Sequence, residues 1–106
     1  MYKFCFYVPI ENAEAVKQAV FSTGAGKIGN YNECCFETLG KGQFKPNNIA
    51  KPNIGLANNL ETVEEVKVEL VCENALIKLA VEAMLAAHPY EEVAYQVMPF
   101  LTIDDL

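Results

Sequence analysis

The spacing of apolar residues constrains the fold of this chain more than any other feature. Three segments place apolar side chains at every second position: Tyr2-Phe4-Phe6-Val8, Val66-Val68-Leu70-Cys72 and Val93-Tyr95-Val97. A period of two predicts strands that present one apolar face to a core. A further strand is predicted from Cys34 to Leu39 and onwards to Phe44, and Gly40 and Gly42 within it indicate a bulge or a close backbone approach. Five aromatic residues of the strands are expected in the core: Phe4, Phe6, Phe36, Phe44 and Tyr95.

Two helices are predicted between these strands. Their apolar residues recur at helical spacing: Ala13-Val16-Val20 and Ile77-Ala80-Val81-Met84-Leu85. Asn12 and Asn74 are the predicted N-caps, Gly24 stands where a left-handed C-terminal residue is common, and Pro89 prevents continuation of the second helix. The resulting order, β-α-β-β-α-β, predicts a ferredoxin-like α+β fold, in which two helices cover one face of a four-stranded antiparallel sheet.

Length and charge narrow the class of protein. The chain has 106 residues, which predicts one domain spanning residues 1–106, and 52% of them are hydrophobic, too many for intrinsic disorder. A net charge of −6 without any arginine argues against nucleic-acid binding, since phosphate contacts need clustered Lys and Arg. No apolar run approaches the roughly 20 residues that span a bilayer, and no targeting segment is recognisable, so no membrane partner is expected.

The cysteines predict the cellular compartment of the protein, and the second sheet face predicts whether it forms oligomers. Four cysteines lack the spacing of a disulfide framework and are expected to be reduced in the cytoplasm: Cys5, Cys34, Cys35 and Cys72. The sheet face opposite the helices is expected to carry Tyr7, Val71, Ala94 and Met98. Because such a face is apolar enough for a partner chain to cover part of it, we expect a homo-oligomer.

The middle of the chain is locally cationic within an acidic protein. Residues 24–60 hold four lysines against two glutamates, a net charge of +2, whereas residues 61–106 hold two lysines against ten acids, a net charge of −8. The run Gly24-Ala25-Gly26-Lys27-Ile28-Gly29 matches the dinucleotide fingerprint in letters, but a helix precedes it and a strand follows, which favours a helix C-cap and a tight turn. The alternative is an anion site of backbone amides and lysines, with these candidate residues: Gly26, Lys27, Gly29, Asn30, Tyr31, Lys41 and Lys45.

The only histidine ends the second helix in the run His88-Pro89-Tyr90-Glu91-Glu92. A histidine at a helix C-terminus interacts favourably with the helix dipole, which is a structural role. The alternatives are a metal site, with His88, Glu91 and Glu92 as ligands, or an acid–base pair. Cys34 and Cys35 are strand neighbours that point to opposite faces, and the chain has no Cys-x-x-Cys spacing of the kind found in zinc sites. No catalytic residue and no cofactor are predicted.

Several motifs together resemble one known family. They are Gly24-Ala25-Gly26-Lys27-Ile28-Gly29-Asn30-Tyr31, Cys34, Phe36, Gly40-Lys41-Gly42-Gln43-Phe44-Lys45-Pro46, Pro52-Asn53-Ile54-Gly55, Glu61 and His88-Pro89-Tyr90-Glu91-Glu92-Val93-Ala94-Tyr95. This combination strongly resembles the CutA-like domain inserted into bacterial YqfO proteins of the Nif-three-like (NGG-interacting-factor-like) family, over nearly the whole chain. We expect the domain to stand alone here. Gln96 departs from the usual Asp of the pattern, and Asn58-Asn59 from a common Gly.

The resemblance implies a ferredoxin-like fold akin to the CutA and PII signalling proteins, and it implies oligomerisation. It implies no activity for this domain, because the dinuclear metal site of full-length relatives lies in the flanking domain. The His, Asp and Glu ligands of that site cannot be present in a chain with one histidine, so a metal-hydrolase function should not be transferred to it.

Three functions remain open at this point. The leading hypothesis is a non-enzymatic binding or regulatory module, in which residues 24–31 and 40–46 recognise a small anionic ligand or a partner at a subunit boundary. It is motivated by the cationic glycine-rich segment and by a connection of roughly 17 residues after Phe44, which is long for a compact domain. The second is divalent-metal binding of CutA type by His88, Glu91 and Glu92. The third is an assembly or protein-interaction element without a ligand.

Overall fold

A four-stranded sheet and two helices form the fold. The computed structural model describes residues 1–106. In chain order its elements are β1 (Tyr2–Pro9), α1 (Ala13–Phe21), β2 (Phe36–Phe44), β3 (Glu61–Cys72), α2 (Ile77–Ala87) and β4 (Tyr95–Pro99). The strand order across the sheet is β2-β3-β1-β4, and each neighbouring pair is antiparallel. The predicted β-α-β-β-α-β order and the ferredoxin-like α+β architecture are confirmed.

The core lies between the two helices and one face of the sheet. Alternation in β1 buries Phe4, Phe6 and Val8 completely, and alternation in β3 places Val68 and Leu70 in the same layer. Four side chains of α1 and α2 pack onto this layer: Val16, Val20, Ala80 and Met84. Fully burying a Val or Met side chain stabilises the fold by about 1.5–3 kcal/mol. We call β1, β4, both helices and residues 66–72 of β3 the body.

The hairpin of β2 and β3 extends past the helices. β3 begins at Glu61 rather than at the predicted Val66 and pairs with β2 from Phe36–Glu69 to Phe44–Glu61. Residues 61–65 lie beyond the apolar alternation, and the molecule is elongated, with extents of 48 × 25 × 23 Å. We call residues 39–44 and 61–65, with the connecting loop 45–60, the arm. The prediction that Phe36 is a core residue is wrong, because this residue is 68% exposed and pairs with Glu69 on the face without helices.

The helix ends differ in part from the prediction. α1 begins at Ala13 with Asn12 in the N-cap position, and Gly24 has the predicted left-handed conformation, with φ +96°. Neither α1 nor α2 has a side-chain N-cap hydrogen bond, and α2 begins at Ile77, later than capping by Asn74 predicts. The Asn74 Oδ1 instead accepts a hydrogen bond from the Met1 nitrogen at 2.5 Å. No helix of the chain combines the length and the apolar character needed to cross a bilayer.

The opposite side of the sheet carries no helix, and we call it the open face. The pairing of the strands places Tyr7, Val71 and Met98 on this face, as predicted. Charged side chains lie among them. The Lys3 Nζ contacts Glu69 Oε1 at 2.6 Å, and this hydrogen-bonded ion pair lowers the pKa of Glu69.

Candidate functional site

A cavity of about 700 Å³ lies on the open face, where the arm leaves the body. Its floor is formed by β1, β2 and β3, one wall by the loop after β2, and the other wall by the segment between α2 and β4. Its lining residues are Tyr7, residues 38–47, Ala50, Pro52, Asn53, Ile54, Glu65, Lys67, Tyr90, Glu91, Glu92 and Ala94. Sites for small molecules usually measure about 300–1,000 Å³, so this cavity has the size of a ligand pocket.

Cross-strand pairing arranges the side chains of the floor in two rows. Thr38 pairs with Lys67, and Lys67 pairs on its other side with Tyr7, so a hydroxyl, an ammonium and a phenol form the first row. In the second row Gly40 pairs with Glu65. Because same-face neighbours of one strand are roughly 6.6 Å apart, a cationic row and an anionic row adjoin on the floor.

The two glycines of β2 shape the second row. A Cβ at Gly42 would lie 1.9 Å from Glu65 Oε1, so the Glu65 carboxylate occupies the space over Gly42. A Cβ at Gly40 would meet nothing within 4 Å. A side-chain carboxylate rather than another backbone therefore approaches Gly42, and the continuous pairing of β2 and β3 contains no bulge. Gly40 leaves an open slot in the floor.

His88 and Tyr90 hold the second wall in place. The Nε2 of His88 lies 2.7 Å from the Tyr7 carbonyl oxygen, and the Tyr90 N–H donates to His88 Nδ1 at 3.1 Å. The Tyr90 hydroxyl donates to Glu65 Oε2 at 2.9 Å, and its ring packs on Phe44 with centroids 6.0 Å apart. Burial and the Glu65 carboxylate raise the pKa of Tyr90, which keeps the hydroxyl protonated as a donor. The segment thus bridges the body and the arm.

The hydrogen bonds of His88 define its protonation state and its role. Because Nδ1 accepts the Tyr90 N–H, Nε2 carries the proton that is donated to Tyr7, and the ring is neutral. Burial lowers the pKa of His88, with the Tyr7 carbonyl and the Glu65 charge opposing this shift. Both ring nitrogens are engaged, so neither offers a lone pair to a metal. No three His, Cys, Asp or Glu side chains come together as a ligand group in this structure, so the metal site at His88, Glu91 and Glu92 stays a prediction.

Glu91 joins the two walls of the cavity. Its Oε1 accepts a hydrogen bond from the Lys51 N–H at 2.6 Å. Other hydrogen bonds of the loop are internal to it, such as that from the Asn58 N–H to the Pro46 carbonyl at 2.5 Å. The carboxylate of Glu91 therefore closes the side of the cavity on which the loop faces residues 90–94.

Comparison with known proteins finds relatives much longer than this chain. No family model matches it. The "GTP cyclohydrolase 1 type 2 homolog" of Bacillus subtilis is 46% identical over 97 residues, which are 92% of this chain and 26% of that protein. The protein of the same name from Mycobacterium tuberculosis is 45% identical over 95 residues, 90% of this chain and 25% of that protein. The solved structure of a Bacillus cereus protein related to NIF3 matches 93% of this chain and 25% of its own, with a TM-score of 0.78 and 41% identity.

This chain is similar to one region of the NIF3-family proteins. It spans about a quarter of the length of the curated relatives that it matches. The structure of CutA1 from Pyrococcus horikoshii is similar over 97% of this chain and 86% of that one, with a TM-score of 0.69 and 16% identity. At that identity the likeness concerns the fold alone. The family resemblance and the CutA-like fold expected from the sequence are confirmed.

The structure brings only some of the predicted ligand residues together. Lys41 and Lys45 line the cavity. Five others lie elsewhere: Gly26, Lys27, Gly29, Asn30 and Tyr31. The Gly26 N–H donates to the carbonyl of Val71 at 2.9 Å, whereas Lys41 pairs with Glu64. Positions 64 and 71 are separated by roughly 23 Å along a strand, so the two groups do not form one site within a chain.

The glycine-rich motif has the structure favoured from its context. Gly24 follows the end of α1, and a two-residue turn at Gly29 and Asn30 comes next. Ile28 and Tyr31 exchange backbone hydrogen bonds of 2.9 Å across this turn. Since no helix begins at the motif, its amides do not form the helix N-terminus that a dinucleotide site needs.

Five residues that line the cavity were missed as candidates from sequence: Tyr7, Thr38, Glu65, Lys67 and Tyr90. All but Tyr90 are ordinary polar positions of strands. The alternation along a strand shows which sheet face such a residue occupies, but not which residues of other strands lie beside it. The pairing of β2 with β3 brings these residues together, and sequence patterns do not specify it. One signal was present, since two glycines spaced by one residue in a strand mark space on a single face.

Proposed function

We propose that this domain is a non-enzymatic binding or regulatory module and that its ligand, a small molecule, occupies the cavity on the open face. The observation that carries this proposal is the floor, in which polar side chains from three strands converge around the open slot at Gly40. Ligand pockets typically combine an apolar lining with a few placed polar groups. Phe44 and Ile54 supply apolar lining here, while Lys67 and Glu65 supply charge.

The environment of His88 favours binding over catalysis. A general acid or base must reach the substrate with an exchangeable proton or a free lone pair. His88 is the only histidine, and both of its nitrogens take part in hydrogen bonds that hold the wall. Its role in the module is to position Tyr90 and thereby to shape the cavity.

A homo-oligomer working in the cytoplasm completes the proposal. Phe36 and Met98 expose apolar surface on the open face, which supports a contact with a second copy. The four cysteines are free thiols, in keeping with a reducing compartment. In an oligomer, the residues from Gly26 to Tyr31 of one copy would be able to meet Lys41 and Lys45 of another, so an anionic ligand group at a subunit boundary remains part of the proposal.

The test is whether filling the slot at Gly40 removes the ligand. Gly40→Val adds a β-branched side chain where a Cβ has free space, so it should block the cavity without breaking the sheet. Thr62→Val is the matched control, since Thr62 is an exposed residue of β3 outside the cavity lining. Native mass spectrometry of protein mixed with a cell metabolite extract measures the retained ligand and the subunit number together.

The expected result is a bound small molecule in the parent protein and in Thr62→Val, and its loss in Gly40→Val at unchanged subunit number. Equal retention by all three proteins would place the ligand outside the cavity. An oligomer that retains no molecule would contradict the binding function and support the alternative of an assembly element.

A further inference from the structure

The cavity floor holds two opposite charges that do not pair with each other. Glu65 makes no ion pair; its carboxylate lies over Gly42 and accepts the Tyr90 hydroxyl. The Lys67 Nζ has one acidic contact, at 3.8 Å to Glu69, a carboxylate that already holds the Lys3 Nζ at 2.6 Å. Each charge is therefore available to a ligand.

The open slot at Gly40 lies between these two charges. On one side of it along β2 stands Thr38, the partner of Lys67, and on the other stands Gly42, which is covered by the Glu65 carboxylate. The slot itself contains no atom within 4 Å of the Cβ position of Gly40. A ligand in this slot would have an ammonium and a hydroxyl at one end and a carboxylate at the other.

Resting on the proposed function, we infer that the ligand is a small zwitterion of the amino-acid class. Its carboxylate would face Lys67 and Thr38, which donate hydrogen bonds, and its ammonium would face Glu65, which accepts them. A charge-assisted hydrogen bond is about twice as strong as a neutral one, so both ends contribute to affinity. The side chain of the ligand would lie against the apolar lining supplied by Phe44 and Ile54.

The lining explains why the slot would select both charges rather than one. An anion without an ammonium would bring its carboxylate to Lys67 but leave the Glu65 carboxylate facing apolar atoms. An amine without a carboxylate would bring its ammonium to Glu65 but leave the Lys67 ammonium facing apolar atoms. Leaving a charged group desolvated without a partner costs more than a missing hydrogen bond between neutral groups. Discrimination against each single-charge analogue should therefore be roughly ten- to a hundredfold in affinity.

The experiment uses three probes that differ only in their charges: L-phenylalanine, 3-phenylpropanoate, which lacks the ammonium, and 2-phenylethylamine, which lacks the carboxylate. Isothermal titration calorimetry measures the affinity of the full chain for each. The variants Lys67→Met and Glu65→Gln remove one charge each, and Glu65→Gln keeps an oxygen that can accept the Tyr90 hydroxyl.

The expected result is that L-phenylalanine binds at least tenfold more tightly than either analogue. Lys67→Met should abolish its advantage over the amine, and Glu65→Gln should abolish its advantage over the anion. Equal affinity of L-phenylalanine and 3-phenylpropanoate for the parent protein would show a site for organic anions and overturn the inference, while the binding function would stand. Absence of binding by all three probes would also overturn it, and the Gly40→Val experiment would decide the binding function separately.

Discussion

The body and the arm use one strand, β3, in two different ways. Residues 66–72 bury every second side chain under the helices, whereas residues 61–65 bury none. In the body, packing against α1 and α2 dictates apolar residues at fixed positions. In the arm no helix covers the strands, so glycines and charged residues can occupy strand positions that in the body would need apolar residues. The buried residues that stabilise the fold and the residues of the candidate site thus lie in different parts of a single strand, and substitutions should affect the two regions differently.

The largest expected effect contrasts one aromatic residue of each region. Phe6→Ala removes a fully buried ring from the body and should lower the free energy of unfolding by about 3–5 kcal/mol. Phe44→Ala removes a partly exposed ring of the arm and should cost only about 1 kcal/mol. Urea denaturation followed by circular dichroism measures both. Similar losses would mean that the arm is as much a part of the packed structure as the body.

The next effect concerns His88, which connects the regions through Tyr90. His88→Ala should lower the free energy of unfolding by about 2–3 kcal/mol, because two hydrogen bonds and a buried ring are lost. Tyr90→Phe, the control, loses only the hydroxyl contact with Glu65 and should cost about 1 kcal/mol. A loss in His88→Ala no larger than in Tyr90→Phe would contradict the role given to the imidazole.

The pH dependence of stability should report the same residue. Burial lowers the pKa of His88 in the folded state from the ordinary histidine value of about 6.5. Below that value the unfolded chain therefore binds the proton more readily than the folded chain does. The contribution of neutral His88 is therefore fully present above that value and is lost as pH falls through the window down to the folded pKa. Thermal unfolding between pH 7.5 and pH 5 should show this loss, and His88→Gln should show less of it. Parallel pH profiles of the two proteins would exclude His88 as its source.

A smaller effect distinguishes the two glycines of β2. Gly42→Ala must displace the Glu65 carboxylate and should destabilise the domain by about 1 kcal/mol. Gly40→Ala meets free space and should be neutral or stabilising by about 0.5 kcal/mol, because it restricts the unfolded chain. Chemical denaturation of the pair is the measurement. The reverse order would mean that Glu65 does not lie over Gly42.

The smallest effect is an ion pair between α1 and β2. Lys17 contacts both Glu14 and Glu37; burial disfavours the Lys17 charge, yet the two carboxylates outweigh it and raise the pKa of Lys17. A double-mutant cycle of Lys17→Met and Glu37→Gln should give a coupling of about 0.5–1 kcal/mol, reduced in 1 M salt because Glu37 is partly exposed. No measurable coupling at low salt would show that apolar contacts alone hold β2 against α1.

Sequence patterns predicted the body better than the arm. The alternation of Phe4, Phe6 and Val8 identified a strand and its buried face because the helices impose that pattern. The start of β3 in the arm was not recovered, since a strand without a core beneath it has no apolar period to detect. The exposure of Phe36 was not recovered because this residue lies on the open face of β2. In the candidate site, Lys41 and Lys45 were anticipated as ligand residues and line the cavity, whereas Glu65 and Lys67 were not anticipated.

By itself, the sequence determined the order of elements, the family resemblance and the side of each central strand that faces the helices. These properties follow from residues near one another in the chain, through periodicity, caps and turns. The tertiary structure alone decided which polar residues meet on the open face. Thr38, Lys67 and Tyr7 form a row because three strands are paired in one register, and His88 reaches the Tyr7 carbonyl across 81 positions of sequence. Such contacts depend on strand register and on the order of the strands in the sheet, which local sequence preferences do not encode.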